Sequence, residues 1–278
     1  MTDASYHGLM EKAYAVELDE FDTFAEIPFR HFGYFPTEES IDDVHCGQIR
    51  YVEEMTKYLK KGSYVLDLGC AFGKTSIWLA QNLDCRVLGI DIVDVQIQQA
   101  KKYAKKFGVE DRVQFQTLDA VDMDFHEEFD YILSLGVLFH VPDKTKVFSK
   151  IYKALKPGGM IAYSDPFINK NCSLVSKTMA NWMTFDVRHT KTLEEHHAFL
   201  KEANFLDIES VDVTEISFIR MFEYSKKENF KTFIAPFKQQ SSFWTSPLMM
   251  SIVANVIVRG LKKRHWGWNF FWARKEQK

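Results

Sequence analysis

The sequence predicts an α/β protein built on a parallel sheet with helices on both faces. Three observations carry that reading. From Ser63 onward, short apolar runs alternate with amphipathic stretches of roughly ten to fifteen residues, the pattern of βαβ units. The first apolar run passes into a glycine-rich turn, SYVLDLGCAFGKTS. Helical stretches end at stop signals, at Gly108 and at Pro157-Gly158-Gly159. Right-handed crossovers then place helices on both sides of the sheet.

In chain order, residues 1–60 are helical and aromatic-rich, and VHCGQIRYVEEMTKYLKK aligns Ile49, Val52, Met55 and Leu59 on one stripe. SYVLDLG is a buried strand and KTSIWLAQNL a helix; CRVLGID is a strand and DVQIQQAKKYAKKFG a helix. RVQFQTLD and FDYILSLG are strands, DKTKVFSKIYKALKPGG a helix closed by Pro-Gly-Gly, and MIAYSDPF the next strand. TLEEHHAFLKEANF is a helix capped by its threonine, LDIESVDVT a strand, and GWNFFWARK the last strand. Two segments break the alternation, about 166–189 and about 214–265. The expected division is a helical cover (1–60), a cofactor-binding core (61–165), a lid insertion (166–189), a core continuation (190–213), a helical cap or lid (214–265) and a final strand (266–278).

Bulk properties narrow the function. The 278 residues carry a net charge of -3, so no basic field points to nucleic acid. Cys46, Cys70, Cys85 and Cys172 form no Cys-x-x-Cys pair, which reads as reduced thiols of a cytoplasmic protein without a metal framework. The acidic N-terminal stretch lacks the apolar region of a signal peptide. The longest apolar run, PLMMSIVANVIV, is too short for a bilayer, which takes about 20 residues. Followed by Lys262, Lys263 and Arg264, it suits a helix resting on a membrane surface. The preferred reading is a lid or oligomer helix with a solvated basic end.

Ligands of such sheets bind at the carboxyl ends of the strands, so the first turn should hold a nucleoside. A phosphate loop needs four residues between its glycines, and Gly69 and Gly73 have three between them. A dinucleotide turn needs G-x-G-x-x-G, and from Gly69 the register meets Ala71 and Lys74. The third option is S-adenosylmethionine. Asp67 can hold its ammonium, whereas an acid there would repel a pyrophosphate. The glycines admit the ligand to the backbone, and the following helix N-terminus favours its carboxylate. Asp91 suits the ribose diol, and Asp119 can accept from the adenine amine.

VLDLGCAFG, VLGIDIV, QTLDAVDM, YILSLGVLFHVPD and LKPGGMI fall in the order and spacing of one family. The chain resembles class I S-adenosylmethionine-dependent methyltransferases over about residues 33–214 plus the final strand. The resemblance implies a Rossmann-like sheet of seven strands with helical lid insertions. It also implies a cofactor pocket lined by Asp67, Gly69, Gly73, Asp91, Ile92, Asp119 and Ala120, with Leu135 near it. Ala71 stands where the family often has glycine.

For the acceptor, His140 is the first candidate as base or orienter, as in the small-molecule methyltransferases this chain resembles; Asp165 is the second. Amine-methylating relatives tend to carry an acid four residues before this histidine, where this chain has Gly136. FRHFGYFPTEES resembles a segment that folds over the cofactor in methyltransferases of lipids, sterols, phosphobases and natural products, which would turn Tyr34 toward the sulfonium or the acceptor. Arg30 and His31 are either partners for an anionic group or a solvated pair. The lids carry Trp182, Met183 and Phe185, then Phe218, Met221, Phe222, Tyr224, Phe230, Phe233, Phe237, Phe243 and Trp244. Such lids imply a small, largely apolar acceptor: an isoprenoid, polyketide or lipid-like molecule, methylated on carbon or oxygen. A cyclase or ligand-binding protein on the same fold, and a phosphobase or amine N-methyltransferase, are the competing readings. Homo-oligomerisation is left open.

Overall fold

The computed structural model describes residues 27, 29–37, 43–174, 177, 189–221 and 259–277. Seven strands form one sheet: β1 (Tyr64–Leu68), β2 (Arg86–Asp91), β3 (Val113–Thr117), β4 (Phe129–Leu135), β5 (Leu155–Ile168), β6 (Leu206–Asp212) and β7 (Trp266–Arg274). Among the described residues, helices accompany them: α1 (Val44–Met55), α2 (Lys74–Leu83), α3 (Asp94–Lys106), α4 (Lys144–Ala154) and α5 (Leu193–Glu202). The strand order is β3-β2-β1-β4-β5-β7-β6. The chain leaves β1 toward β2 and β3 on one side and fills β4 and β5 on the other. That reversal opens a crevice beyond the ends of β1 and β4, where open α/β sheets take ligands.

Each expected strand is present, but the sheet is mixed rather than parallel. β7 runs antiparallel to both neighbours, with Ser164 opposite Phe270 and Val211 opposite Phe270 on its two sides. An antiparallel neighbour, unlike a parallel one, does not require a helical crossover. Two helices end earlier than their stop signals suggest. α1 closes at Met55. α4 ends at Ala154 because Leu155 already pairs with Phe129, which draws Pro157-Gly158-Gly159 into β5.

Period decides which face each side chain fills. The stripe of α1 buries Val52 and Met55, with Ile49 and Leu59 packed at the edge, and adds Tyr51. This face also takes Ile77 of α2 and Ile97 of α3, while Val147 and Ile151 of α4 and Leu200 of α5 cover the other. β7 alternates aromatics to the first face (Trp266, Trp268, Phe270, Trp272) and Phe271 and Ala273 to the second. Asp43 and Asp143 cap α1 and α4, and Thr192 with Glu195 forms a capping box on α5.

The four cysteines are free, with Cys70, Cys85 and Cys172 buried. Among the described residues no helix is long and apolar enough to cross a membrane. Most of both lid segments, including Trp182, Met183, Phe185 and the aromatics from Phe222 to Trp244, lies outside the described residues, as does the apolar run at 247–258. Of the second lid, Thr214–Ile219 form a π-helical turn that buries Phe218 and Ile219 in the core.

Candidate active site

The crevice is bounded by the turn after β1. Gly69 has φ +77° and donates its amide to Ile90 O at 2.8 Å. A Cβ there would come within 2.3 Å of Val137, so the turn admits no side chain. Gly73, also left-handed, is the N-cap of α2, and no side chain caps that helix. Its first amides therefore stay available to an anionic group. Thr75 in this first turn lines the crevice.

Two acids stand at the ends of β1 and β2. Asp67 is 3% exposed and accepts from Ser76 Oγ at 2.5 Å. Burial raises its carboxyl to about 6; Ser76 pulls it down and the charge of Asp91 pushes it up. Asp91 accepts one amide on each oxygen, Ala71 N and Val93 N, both at 3.0 Å. Burial raises its pKa, while those amides and the Arg30 guanidinium oppose the rise. Ala71 tolerates φ +48° because its amide is anchored on Asp91.

The crevice has two ends that share Arg30, Gly69, Ala71 and Leu135. At one end are Phe29, His31, Asp67 and Lys74; at the other are Asp91, Ile92, Val137 and His140. Burial at one end and ribose-type polarity at the other suit an amino-acid tail and a nucleoside respectively. Backbone geometry that only glycine fills, acids at both ends and an uncapped helix start together fit S-adenosylmethionine.

Several expected residues lie elsewhere. Ala120 is buried in the opposite core layer, and the Asp119 carboxylate accepts from Val121 N at 3.0 Å; neither lines the crevice. Tyr34 stacks on Phe270 with ring centroids 6.0 Å apart and faces the charges of Glu54 and Lys57 instead. Asp165 is 0% exposed and follows Ile161 and Tyr163 onto the opposite face of β5, away from the crevice. Burial drives its pKa upward, opposed by Lys144 and the Leu138 and Phe139 amides. Lys144 in turn donates to the carbonyls of Phe139 and Val141, on either side of His140. Asp165 therefore sits beneath the Leu138–His140 turn rather than beside an acceptor.

The N-terminal segment does close one wall, through residues other than Tyr34. Phe29, Arg30 and His31 line the crevice. Lys74 is buried there: its ammonium donates to Ile27 O and lies 4.4 Å from the Phe29 ring centroid. Burial lowers its pKa to about 8. Beyond His140 the wall is aromatic. Phe139 and His140 have ring centroids 3.8 Å apart, and Trp268 stands against Gly136, Phe139 and Phe32.

The family described as Methyltransferase domain matches residues 59–232, more than half of the chain. Methyltransferase GfsG of Streptomyces halstedii is 28% identical over 227 residues, 77% of this chain and 82% of that protein. The sterol 24-C-methyltransferase ERG6 of Saccharomyces cerevisiae is 40% identical over 105 residues, 37% of this chain and 27% of that protein, so the chain matches only about a quarter of it. Among solved structures, geranyl diphosphate C-methyltransferase of Streptomyces coelicolor superposes with a TM-score of 0.77 at 15% identity, covering 97% of each chain. The [4+2]-cyclase SpnF gives 0.70 at 19%, covering 90% of this chain and 88% of that one. These two likenesses speak to the fold. The chain belongs to the methyltransferase-domain family.

Proposed function

We propose that this member of the methyltransferase-domain family transfers a methyl group to a small, largely apolar acceptor, on carbon or oxygen. S-adenosylmethionine is the cofactor, and when bound it supplies an electrophilic methyl on a sulfonium. The observation that carries the reading is that His140 shares one crevice with Asp91 and Leu135. A proton-accepting imidazole thus lies in the same space as the acid suited to a ribose diol.

The residues divide the work. Ionised Asp67 holds an ammonium at its end of the crevice, and the uncapped start of α2 receives a carboxylate. Asp91 keeps a lone pair for a diol, since the Ala71, Val93 and Ile92 amides take three of its roughly four acceptor sites. His140 takes the proton that an acceptor hydroxyl or a methylated alkene must lose, or orients the acceptor for attack. Trp268 and Phe139 are buried behind Gly136 and His140 and give that end of the crevice an apolar backing. Gly136 offers no carboxylate to an amine acceptor. The name of a sterol 24-C-methyltransferase among the similar proteins supports an apolar acceptor.

Methyl-labelled S-adenosylmethionine offered with isoprenoids, polyketides, apolar alcohols and small amines tests the reading. Label is expected in an apolar product, and His140→Ala should lower that turnover about a hundredfold with cofactor affinity intact. Labelling of amines alone would overturn the acceptor class. Conversion of an acceptor without S-adenosylhomocysteine formation would point to cyclisation instead.

A further inference from the structure

Lys144 and Asp165 are buried beneath the crevice, and the chemistry described above uses neither. Lys144 is the first residue of α4, the helix end at which the macrodipole disfavours a cation. Its side chain is buried, which is costly for an ammonium. Both costs accompany one arrangement. The ammonium reaches back to donate to the carbonyls of Phe139, at 3.2 Å, and Val141, which flank His140 in the chain. Asp165 is buried within reach of the same turn, and the groups that favour its charge are Lys144 and the Phe139 and Leu138 amides. Neither of its oxygens completes a hydrogen bond among the described residues, so it acts on the turn through charge.

The turn needs such support. Leu138–His140 is a 3-10 turn of three residues, too short to be stable by itself. It closes through His140 N to Val137 O and Val141 N to Leu138 O, both at 3.0 Å. His140 ends the turn and lines the crevice, its ring 3.8 Å from that of Phe139 between centroids. Rotation of the peptides on either side of His140 would carry the imidazole away from the crevice. A cation against two carbonyls and an anion against two amides resist that rotation from both ends of the peptide dipoles.

We propose that Lys144 and Asp165 are positioning residues, a buried ion pair that aims the His140 imidazole into the crevice by gripping the backbone on both sides of it. The proposal rests on the role given to His140 above. Apolar residues in place of a buried ion pair often leave stability unchanged or raise it, so the contribution of this pair lies in orientation.

The test is ring NMR of the full chain labelled in its histidines, recorded with and without S-adenosylhomocysteine. The His140 cross-peak is the one lost in His140→Ala. In Lys144→Met, which keeps the length of the side chain and drops its charge, that cross-peak should shift and broaden or divide. The double variant Lys144→Met/Asp165→Leu leaves no lone buried charge and should unfold no more readily than the wild type, yet it should show the same change. The His45 and His126 cross-peaks should stay in place, and S-adenosylhomocysteine affinity should remain within about threefold. A folded double variant with the wild-type His140 cross-peak would overturn the proposal. A second measurement needs no substitution: the His140 and Val141 amides should exchange with solvent as slowly as those of β4, and unprotected exchange there would overturn the proposal too. Failure to bind S-adenosylhomocysteine would sink the cofactor reading instead, and full turnover in His140→Ala the role of His140, while the ring spectra still decide the positioning.

Discussion

The two halves of the sheet meet at the crevice but are built in opposite ways. The half from β1 to β3 bends its backbone around a ligand. Its turn has three successive alternate residues at positive φ (Gly69, Ala71, Gly73), and its acids are satisfied by only a few donors. The half from β5 to β7 fills space. Phe270 packs edge to face with Trp272 and Tyr51, Trp268 with Phe32, and Trp266 with Phe218. One half keeps its chemistry in backbone shape, and the other in side-chain volume. Damage to the first should therefore appear in ligand binding, and damage to the second in stability.

Trp268→Ala is the largest expected break. It removes a buried ring and the hydrogen bond from Nε1 to the Tyr51 hydroxyl at 2.8 Å. Denaturant unfolding should show a loss of about 3–5 kcal/mol, while S-adenosylhomocysteine affinity stays within about threefold. Gly69→Ala should do the reverse: at φ +77° and 2.3 Å from Val137, the new methyl distorts the turn, and titration should read an affinity loss of about a hundredfold. If instead Gly69→Ala binds normally, or Trp268→Ala loses binding first, the division between the halves fails.

Asp67→Asn sharpens the comparison through pH. The Asp67 carboxyl is raised to about 6, so the free protein binds a proton there below that pH. A ligand ammonium needs the ionised form. Affinity should be flat above pH 6 and fall by up to about tenfold per pH unit below it. The Asn variant should bind about tenfold more weakly at pH 7.5 and lose this dependence. Calorimetry across pH 5–8 checks both, and an unchanged pH profile in the variant would assign the titration to another group.

The first half was the more legible in the sequence for the same reason. Gly69, Gly73, Asp67 and Asp91 are local requirements of a strand–turn–helix unit, and their spacing alone rejects a phosphate loop. Leu135 ends β4 and His140 closes the short turn after it, and both reach the crevice. The strands of the second half are equally visible, but their order is not, and β7 turned out antiparallel. Asp165 failed to reach the crevice because alternation along β5 sends it to the other face with Tyr163. Segment 29–37 has no regular period, so nothing local says which of Tyr34 and His31 turns inward. The inward turn comes from stacking on Tyr51, a contact 20 residues away. Lys74 likewise showed no signal, because its partner, Ile27 O, is brought to it by tertiary folding.

The contact between Gly136 and Trp268 bears on how such an enzyme could change over generations. Gly136 has φ +71°, and a Cβ there would come within 3.2 Å of a ring that Tyr51 holds in place. An acidic side chain at this position, which would welcome a cationic amine, would meet both backbone strain and a fixed indole. Trp268 would have to shrink first, and that step alone removes much of the aromatic core. On the apolar-acceptor reading proposed above, exchanging that acceptor for a charged one would pass through variants that lose aromatic core, so the order in which mutations arrive would guard the chemistry.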